Sequence, residues 1–310
     1  MRDGNLVLPA ASDGVLSPPL VSLVLINWNC ASFVGAAIRS IRGQDYPWFE
    51  AIVVDNGSTD ESREVIARHV TGDSRFRVIH LERNFGQLGA FLDVFGELRG
   101  DFVTIIDADD VLFCNFLSSH IQVHLALPFS VAFTSSNVVE MTAAGRVITG
   151  GYVSFKGALS PDSFGLRRPD AAVRLTTISD IDYLRLSDAT RTFVHVNVWI
   201  WGPGTSNMFR RSVLTLVHFK PKDRTYFRAA DNYLCPFCHA LAGSALINKP
   251  LSAYRIHDNN YFTERESMRN VSKGRSEIAG RSKREALETL GILFARAEFF
   301  QEVLPGKRFW

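Results

Sequence analysis

Residues 101–110 read DFVTIIDADD, an apolar segment of strand length that ends in a cluster of acids. The core of this segment, VTII, is typical of a strand buried on both faces. Asp107 and Asp109 follow it on a strand-to-loop turn, and two carboxylates separated by one residue can converge on a divalent cation. Acids that adjoin a core strand need a compensating partner. A helix cap followed by a solvated loop is the simpler alternative, since Asp110 comes next.

Apolar strands alternate with helical segments over the first 140 residues. We predict strands at 21–28, 51–55, 77–81, 101–106 and 131–135. We predict helices at 31–42, 87–98 and 115–127, and another that ends near residue 70 and is capped by Ser58 or Thr59. The alternation indicates a doubly wound, mostly parallel α/β sheet. Ligands of such sheets bind outside the carboxyl ends of the strands.

The alternation of strands and helices weakens after about residue 140 and returns in part. Regular secondary structure is predicted at 199–217, as a helix over 230–242 and as a strand-like segment over 245–249. Residues 263–285 are polar and charged, which indicates a mobile segment. Residues 286–304 place their apolar side chains on one helical stripe. That amphipathic stripe is compatible with packing on the rest of the chain, on a second copy as a homodimer, or on a membrane surface.

Composition narrows the class of protein. The 310 residues carry 34 Lys and Arg against 32 Asp and Glu, a net charge of +2. This balance argues against nucleic-acid binding, which needs a basic excess. No apolar run reaches the ~18 residues of a transmembrane helix, and the N-terminus lacks the apolar region of a signal peptide. With four cysteines there is no disulfide scaffold, so we expect a cytoplasmic protein, with peripheral contact at the cytoplasmic face of a membrane left open.

Two further polar motifs follow predicted strands. DNGSTD at 55–60 places an acid, a glycine and a helix start after a strand, as folds that hold a ribose or a base do. A plain strand-turn-helix connection is the alternative. RNFG at 83–86 places Arg83 and backbone amides where they can face a phosphate. Both motifs are predicted to lie at the same sheet edge as Asp107 and Asp109.

As a set, these motifs resemble the family 2 glycosyltransferases, which have the GT-A fold. The matching stretches of the first half are VSLVLINWN at 21–29, VVDNGSTD at 53–60, RNFGQLGA at 83–90 and the D-x-D of IIDADD at 105–110. Those of the second half are GPGTSNMFRRS at 202–212, which resembles the acceptor loop, ADNYL at 230–234, which resembles the E-D-x-x-L helix, and YRIH at 254–257. The resemblance covers about residues 20–260.

The chain also departs from the family pattern. Ala230 stands where the family usually has Glu, so this position cannot act as an acid, and Ile26 stands where the family usually has Pro. The Q-x-x-R-W element and the membrane helices of processive polysaccharide synthases are absent. RNFGQ is also similar to a stretch of the polyprenyl-phosphate sugar transferases, but the second half shares too little with them.

The resemblance implies a role for each matching residue. Implied contacts of a nucleotide-diphosphate sugar are Trp28, Asn29, Asp55, Arg83, Asn84, Gly86, Asp107 and Asp109. A Mn2+ or Mg2+ ion that bridges the diphosphate is implied at Asp109, with His257 as a further ligand or a phosphate contact. Asp231 is implied as the general base that deprotonates the acceptor hydroxyl. A helix cap is the simpler alternative for Asp231.

The implied activity is transfer of a hexose-type sugar, with inversion, to a hydroxyl of a glycan, a lipid-linked sugar or a small molecule, in glycan biosynthesis. A metal neutralises the leaving diphosphate, and one carboxylate base opposite it gives inversion. We expect a leader at 1–20, a nucleotide-sugar-binding half at 21–140 and an acceptor-binding half at 141–260. Residues 261–310 supply the mobile segment and the C-terminal amphipathic helix.

Two other functions stay open at this point. IIDADDV also fits the nucleophile motif of haloacid-dehalogenase-like phosphatases, in which Asp107 would form an aspartyl phosphate and Asp109 would be the acid/base. That motif normally opens the first strand of its domain, whereas three strand-helix units precede it here. A non-catalytic GT-A relative that binds nucleotide is the second alternative, and Ala230 is the hint for it.

Two sets of residues with reactive side chains are interpreted as structural. Cys235 and Cys238 form a C-x-x-C inside a predicted helix and are expected to be core cysteines. His120 and His124 form a lone i,i+4 pair, which supplies too few ligands for a metal.

Overall fold

The computed structural model describes residues 17–127, 130–149, 166–167, 181–184, 201–219, 229–258, 260, 287, 291–292 and 294–303. Most of the predicted leader and all of the predicted mobile segment at 263–285 lie outside the described residues. No helix within these ranges has the length and apolar character to cross a bilayer.

The strands and helices follow the predicted alternation. The strands are β1 Val21–Asn27, β2 Phe49–Asp55, β3 Phe76–His80, β4 Phe102–Asp107, β5 Val111–Leu112, β6 Phe133–Thr142, β7 Val147–Thr149, β8 Leu166–Arg167, β9 Ile181–Leu184, β10 Asn207–Arg210 and β11 Ser244–Ile256. The helices are α1 Ala31–Arg42, α2 Ser62–Val70, α3 Gly86–Val94, α4 Phe116–Ala126, α5 Arg211–Val217, α6 Ala230–Ala242 and α7 Ala297–Val303.

All these strands belong to one sheet, with the order β3-β2-β1-β4-β10-β6-β11-β9-β8; β5 and β7 pair with β11 and β6 off this path. β1 pairs in parallel with β2 and β4, and β2 pairs in parallel with β3. β10 lies between β4 and β6 and runs antiparallel to both. β6 and β11 are again parallel. The sheet is therefore mostly parallel, as predicted. β10 is reversed near its centre, and β5, β7 and β9 also run antiparallel to the strands they pair with.

Helices cover both faces of the sheet, which explains why β1 is apolar at nearly every position. Val24 and Ile26 of β1 face a core that α3 and α6 supply with Phe91 and Phe237. Leu23 and Leu25 face the opposite core, with α1 and α4. A strand buried on both faces has no polar alternation, and the doubly wound arrangement is confirmed.

The C-terminal helix packs on α6 over part of its length. Phe300 of α7 is buried and stacks on Phe237 of α6, with ring centroids 4.8 Å apart. Ile292 is also buried, whereas Leu287 and Phe294 are exposed. Packing within the chain thus uses at least part of the predicted apolar stripe.

Two local predictions were wrong. Ser58 and Thr59 do not cap α2, which begins at Ser62, because the Ser58 hydroxyl accepts hydrogen bonds from Asn27 and from the Asn29 backbone. The fifth long strand is β6, which runs well beyond the predicted end at 135. Its polar residues interrupt the apolar pattern from which a strand is predicted, although all ten side chains are buried. Loops supply hydrogen-bond partners to these polar side chains. For example, Gly202 N–H donates to Ser135 Oγ at 2.9 Å.

The histidine pair lies inside the core, as expected for a structural role. His120 and His124 of α4 are buried, and the Thr134 hydroxyl lies 2.7 Å from His120 Nδ1 and 3.2 Å from His124 Nε2. Burial lowers the pKa of His124 to about 3. Burial, with His124 as a second cause, also lowers the pKa of His120 far below its ordinary value.

Acid should therefore destabilise the fold through these two histidines. Both are neutral when folded and bind a proton when unfolded, so their contribution is complete above the unfolded pKa of ~6.5 and is lost as the pH falls below it. Each histidine can remove up to ~1.4 kcal/mol per pH unit. Urea unfolding between pH 7.5 and 5.5 should show a steeper loss for wild type than for His120→Asn/His124→Asn. Equal slopes in the two proteins would contradict this.

Candidate active site

Strand direction gathers the predicted site residues at one edge of the sheet. Asn27 and Asp55 end the paired strands β1 and β2, and Asp107 ends β4 in register with Ile26. Because β10 is antiparallel, the turn that precedes it, Gly204–Ser206, lies at this same edge. β11 is parallel to β6, so the edge also receives His257, which follows the end of β11.

Gly204 lies between the acids of the two halves. A methyl group on Gly204 would lie 3.6 Å from Gln87 Nε2, 3.7 Å from Asp107 Oδ2 and 3.9 Å from Asp231 Cγ. The acceptor-like loop, the D-x-D turn and the start of α6 therefore meet around one glycine. Only hydrogen at this position leaves the space between the carboxylates open.

Burial dominates the electrostatics of these acids, and like charge adds to its effect at Asp107. Burial raises the pKa of Asp107 to about 8, and the negative charges of Asp109 and Asp231 add to the rise. Burial also raises the pKa of Asp231 to about 6, although backbone N–H groups of Asn232, Asp231 and Gly204 oppose it. A carboxyl with a pKa near neutrality can take up a proton during a reaction. A cluster of acids with raised pKa values also favours a bound cation.

Asp109 and His257 form the most direct candidate for a metal site. His257 Nε2 lies 2.9 Å from Asp109 Oδ2, and both side chains are largely shielded from solvent. Carboxylate oxygen and imidazole nitrogen are both donors that Mn2+ accepts. No group of three or more His, Cys, Asp or Glu side chains that could hold a metal occurs in the described part of the chain. These residues fit an ion whose remaining ligands are diphosphate oxygens and water, the usual arrangement for Mg2+ at phosphates.

Asp231 lies in the first turn of α6 but does not cap the helix. The N-cap residue is Ala229, and Asp231 Oδ1 accepts from the next backbone N–H, that of Asn232, at 2.9 Å. The simpler interpretation of Asp231 as a helix cap is therefore wrong, and its carboxylate stays directed at Gly204.

The side chains at the ends of β1 and β2 differ in how open they are. Trp28 is 50% exposed, whereas Asp55 is fully buried. Asp55 accepts from Arg63 Nε at 2.6 Å and lies 3.4 Å from His80 Nδ1. Burial raises the pKa of Asp55, but hydrogen bonds from Ser58, Arg63 and His80 more than offset this and leave it below its ordinary value. A nucleotide contact of Asp55 would run through Arg63 or His80, or would need them to move.

The Asn29 and Asn84 side chains hold loops together. Asn29 has a φ of 52°, and its Oδ1 accepts from the Thr59 backbone at 2.8 Å. Asn84 Oδ1 accepts from Gly86 N–H at 2.8 Å and from Asn56 Nδ2 at 3.0 Å. Both asparagines thus shape the predicted nucleotide loops from within. Arg83 is exposed, with its guanidinium 4.8 Å from the centre of the Phe85 ring.

Residues 22–149, which contain Trp28, Asp55, Arg83, Asp107 and Asp109, match the family model Glycosyl transferase family 2. This segment belongs to glycosyl transferase family 2. Its resemblance to that family, predicted from the motifs, is confirmed.

Similar proteins extend beyond the family 2 segment. A glycosyltransferase of Nostoc sp. (strain PCC 7120) is 27% identical over 259 residues, which cover 83% of this chain and 71% of that protein. Glycosyltransferase GlyG of Streptococcus pneumoniae serotype 4 is 32% identical over 103 residues. That match covers 33% of this chain and 34% of GlyG, so it spans about a third of each protein.

A solved structure is similar over most of the chain. The mannosyltransferase PcManGT from Pyrobaculum calidifontis, in complex with GDP-Man and Mn2+, is 17% identical, with a TM-score of 0.50. The match covers 91% of this chain and 76% of that chain. This likeness supports the fold alone, and the predicted GT-A fold is confirmed.

Four contributors to the candidate site were not predicted from sequence. Asn56 Oδ1 accepts from Phe85 N–H at 3.0 Å and joins the two nucleotide-like loops. Thr205 Oγ1 accepts from Asp107 N–H at 3.1 Å. Arg255 donates from Nε to Asp109 O at 2.7 Å and from its backbone to Asp110 Oδ1 at 2.9 Å. Gln87, the fourth, donates to Asp107. All four lie within quoted motifs, but their partners are remote in sequence.

The packing of the two loops makes Gly57 sensitive to substitution. A Cβ on Gly57 would come 2.8 Å from Asn84 N and closer still to the Arg83 backbone. Gly72 has a similar φ, +81° against +70°, but a Cβ added there would have no atom within 4 Å. Gly57→Ala should therefore lower the free energy of unfolding by at least about 1 kcal/mol more than Gly72→Ala. Chemical denaturation of both variants measures this, and equal losses would show that the loops do not pack closely.

Proposed function

We propose that the protein is an inverting, metal-dependent glycosyltransferase that moves a sugar from a nucleotide-diphosphate donor to a hydroxyl acceptor. The comparisons support a glycosyltransferase. The observation that carries the finer proposal is the approach of Asp231 to Asp107 across Gly204. It places a candidate base, with a pKa of about 6, beside the D-x-D acid that ends β4.

The donor would lie along the carboxyl edge of β1 to β4. The half-exposed ring of Trp28 is free to stack on a base. Arg83 lies exposed above the loop that Asn84 and Gly86 shape, and its charge suits a phosphate. Asp55 would act through Arg63 and His80, and Asp107 would contact the ribose. The complex of PcManGT with GDP-Man and Mn2+ supports a nucleotide-sugar donor for this site.

Asp109 and His257 would hold the metal ion, Mn2+ or Mg2+, beside the diphosphate. When bound, the ion neutralises charge on the leaving group without moving a proton. Arg255 fixes the backbone of Asp109 and thereby the position of its carboxylate. Because Asp109 and His257 lie near Asp107, the metal would neutralise the charge of the diphosphate at the place where the donor binds.

Asp231 would remove the proton from the acceptor hydroxyl. The acceptor oxygen forms a bond to the anomeric carbon, the bond from that carbon to the phosphate oxygen breaks, and its electron pair leaves with the nucleoside diphosphate. The proton goes to the Asp231 carboxylate. Attack from the face opposite the leaving group inverts the anomeric centre, and one base is sufficient for this reaction. The acceptor class proposed is a hydroxyl of a glycan, a lipid-linked sugar or a small molecule, reached from the cytoplasm.

Substitution of Asp231 should separate base chemistry from binding. Asp231→Asn keeps the shape of the side chain but cannot accept a proton, so turnover should fall by roughly 10²–10⁴-fold with nearly unchanged donor affinity. Wild-type turnover should rise with pH through about 6, because the base must be ionised. Asp73→Asn, which disturbs ion pairs with Arg42 and Arg75 at the other edge of the sheet, is the control and should keep its turnover. Near-normal activity of Asp231→Asn would refute the assignment.

Donor binding should require the metal. Thermal-shift screening of nucleoside diphosphates and nucleotide sugars with Mn2+ should identify a ligand, which at 100 times its dissociation constant stabilises the fold by ~2.7 kcal/mol. EDTA should abolish that shift and leave the unliganded melting temperature unchanged. Asp109→Ala should fold normally and have no measurable turnover. Full activity in EDTA would remove the metal from the mechanism.

A further inference from the structure

Gln87 lies where the donor-like and acceptor-like halves of the site meet. It is in the first turn of α3, directly after the RNFG loop, and it is partly buried. Neither the motif resemblance nor the general logic of a metal-dependent transfer gives it a role.

The amide of Gln87 is held by two partners of opposite kind. Its Nε2 donates to Asp107 Oδ1 on β4, and its Oε1 accepts from the Ala230 backbone N–H at 2.8 Å. One partner is a carboxylate and the other is an N–H group, so the orientation of the amide is fixed by chemistry. The Gln side-chain amide has a separate donor and acceptor, so it can satisfy both partners at once.

The second partner connects Gln87 to the proposed base. Ala230 is the first residue of α6, and its N–H is one of the helix-start donors that lack a partner within the helix. Asp231 is the next residue, so the Ala230 bond fixes the start of the helix that carries the base. Gln87 thus joins Asp107 to the backbone of the residue that precedes Asp231, and the two acids come from separate parts of the chain.

The bridge acts between two groups of like charge. Asp107 Oδ2 and Asp231 Cγ both lie within 4 Å of the point that a methyl group on Gly204 would occupy, so the two carboxylates repel each other when both are ionised. A rigid neutral bridge holds the two carboxylates at a set separation in spite of this repulsion. Catalytic groups need such precision, since a misplacement of 1 Å can cost about 10²-fold in rate.

We propose that Gln87 is a positioning residue that sets the separation of Asp107 and Asp231, and so couples the bound donor to proton removal from the acceptor. This inference rests on the proposed function. Its consequence is that loss of the bridge lowers kcat while the affinity for nucleoside diphosphate stays.

Two substitutions test the bridge. Gln87→Met keeps the length of the side chain and removes both hydrogen bonds. Gln87→Glu keeps an acceptor for Ala230 but removes the donor to Asp107 and adds a like charge. Gln44→Met is the matched control, because Gln44 is also a buried glutamine with two-sided bonds, to Phe113 O at 2.8 Å and from Leu117 N–H at 3.0 Å.

The assay is release of UDP or GDP from UDP-glucose, UDP-N-acetylglucosamine and GDP-mannose with Mn2+, together with calorimetry of UDP and GDP binding. Both Gln87 variants should lose about 10–100-fold in kcat, with the dissociation constant changed by less than about threefold. Gln44→Met should lower the melting temperature and keep kcat. If the Gln87 variants also lose only stability and keep kcat, Gln87 is structural and the inference is wrong.

Failure of the proposed function has a different signature, because wild-type protein would then release no nucleotide from any donor of the panel. In that case the effect of Gln87 on the separation of the two carboxylates is measured directly. A crystal structure of Gln87→Met should show a greater separation of Asp107 and Asp231 than a crystal structure of the wild type. An unchanged separation would overturn the inference whatever the activity.

Discussion

The repulsion among carboxylates at one sheet edge is the constraint on which the rest of the site depends. Burial raises the pKa of Asp107, and Asp109 and Asp231 lie close enough for their negative charges to raise it further. Such a cluster is stable only when neutral and cationic groups surround it. The Gln87 amide and the His257 ring serve that purpose here, and Arg255 binds the Asp109 carbonyl through Nε and the Asp110 carboxylate through its backbone N–H. The geometry of the site is therefore fixed by the groups that surround the acids as much as by the acids themselves.

Much of the fold could be predicted from sequence because its signals are local. β1, β2 and β4 are buried on both faces, so their apolar runs identify them without an alignment. β6 was cut short in the prediction because its residues 134–137 are polar although buried. The reversed direction of β10 was also beyond prediction, since it is set by pairing with β4 and β6 and not by its own four residues.

The candidate site could also be predicted only where its sequence signals are local. Asp107, Asp109, Asp231 and His257 were predicted because each falls in a short motif, and the structure brings them to one edge. Gln87 was quoted inside a motif but given no role, because its acceptor bond joins residues 143 positions apart. For Asp55, the motif predicted a ligand contact, but it could not predict that Arg63 would cover the carboxylate. That contact depends on the position that α2 takes in the complete fold.

The reversed strand β10 affects the order in which the parts of the site become available during synthesis of the chain. β10 is inserted between β4 and β6, and the turn before it carries Gly204. A growing chain that has reached residue 149 contains β1 to β7 and the D-x-D turn, but neither Gly204 nor Asp231. A nascent chain at this stage contains Asp107 and Asp109 but not the proposed base. Asp107 and Asp231 can come together around Gly204 only after the second half has been synthesised.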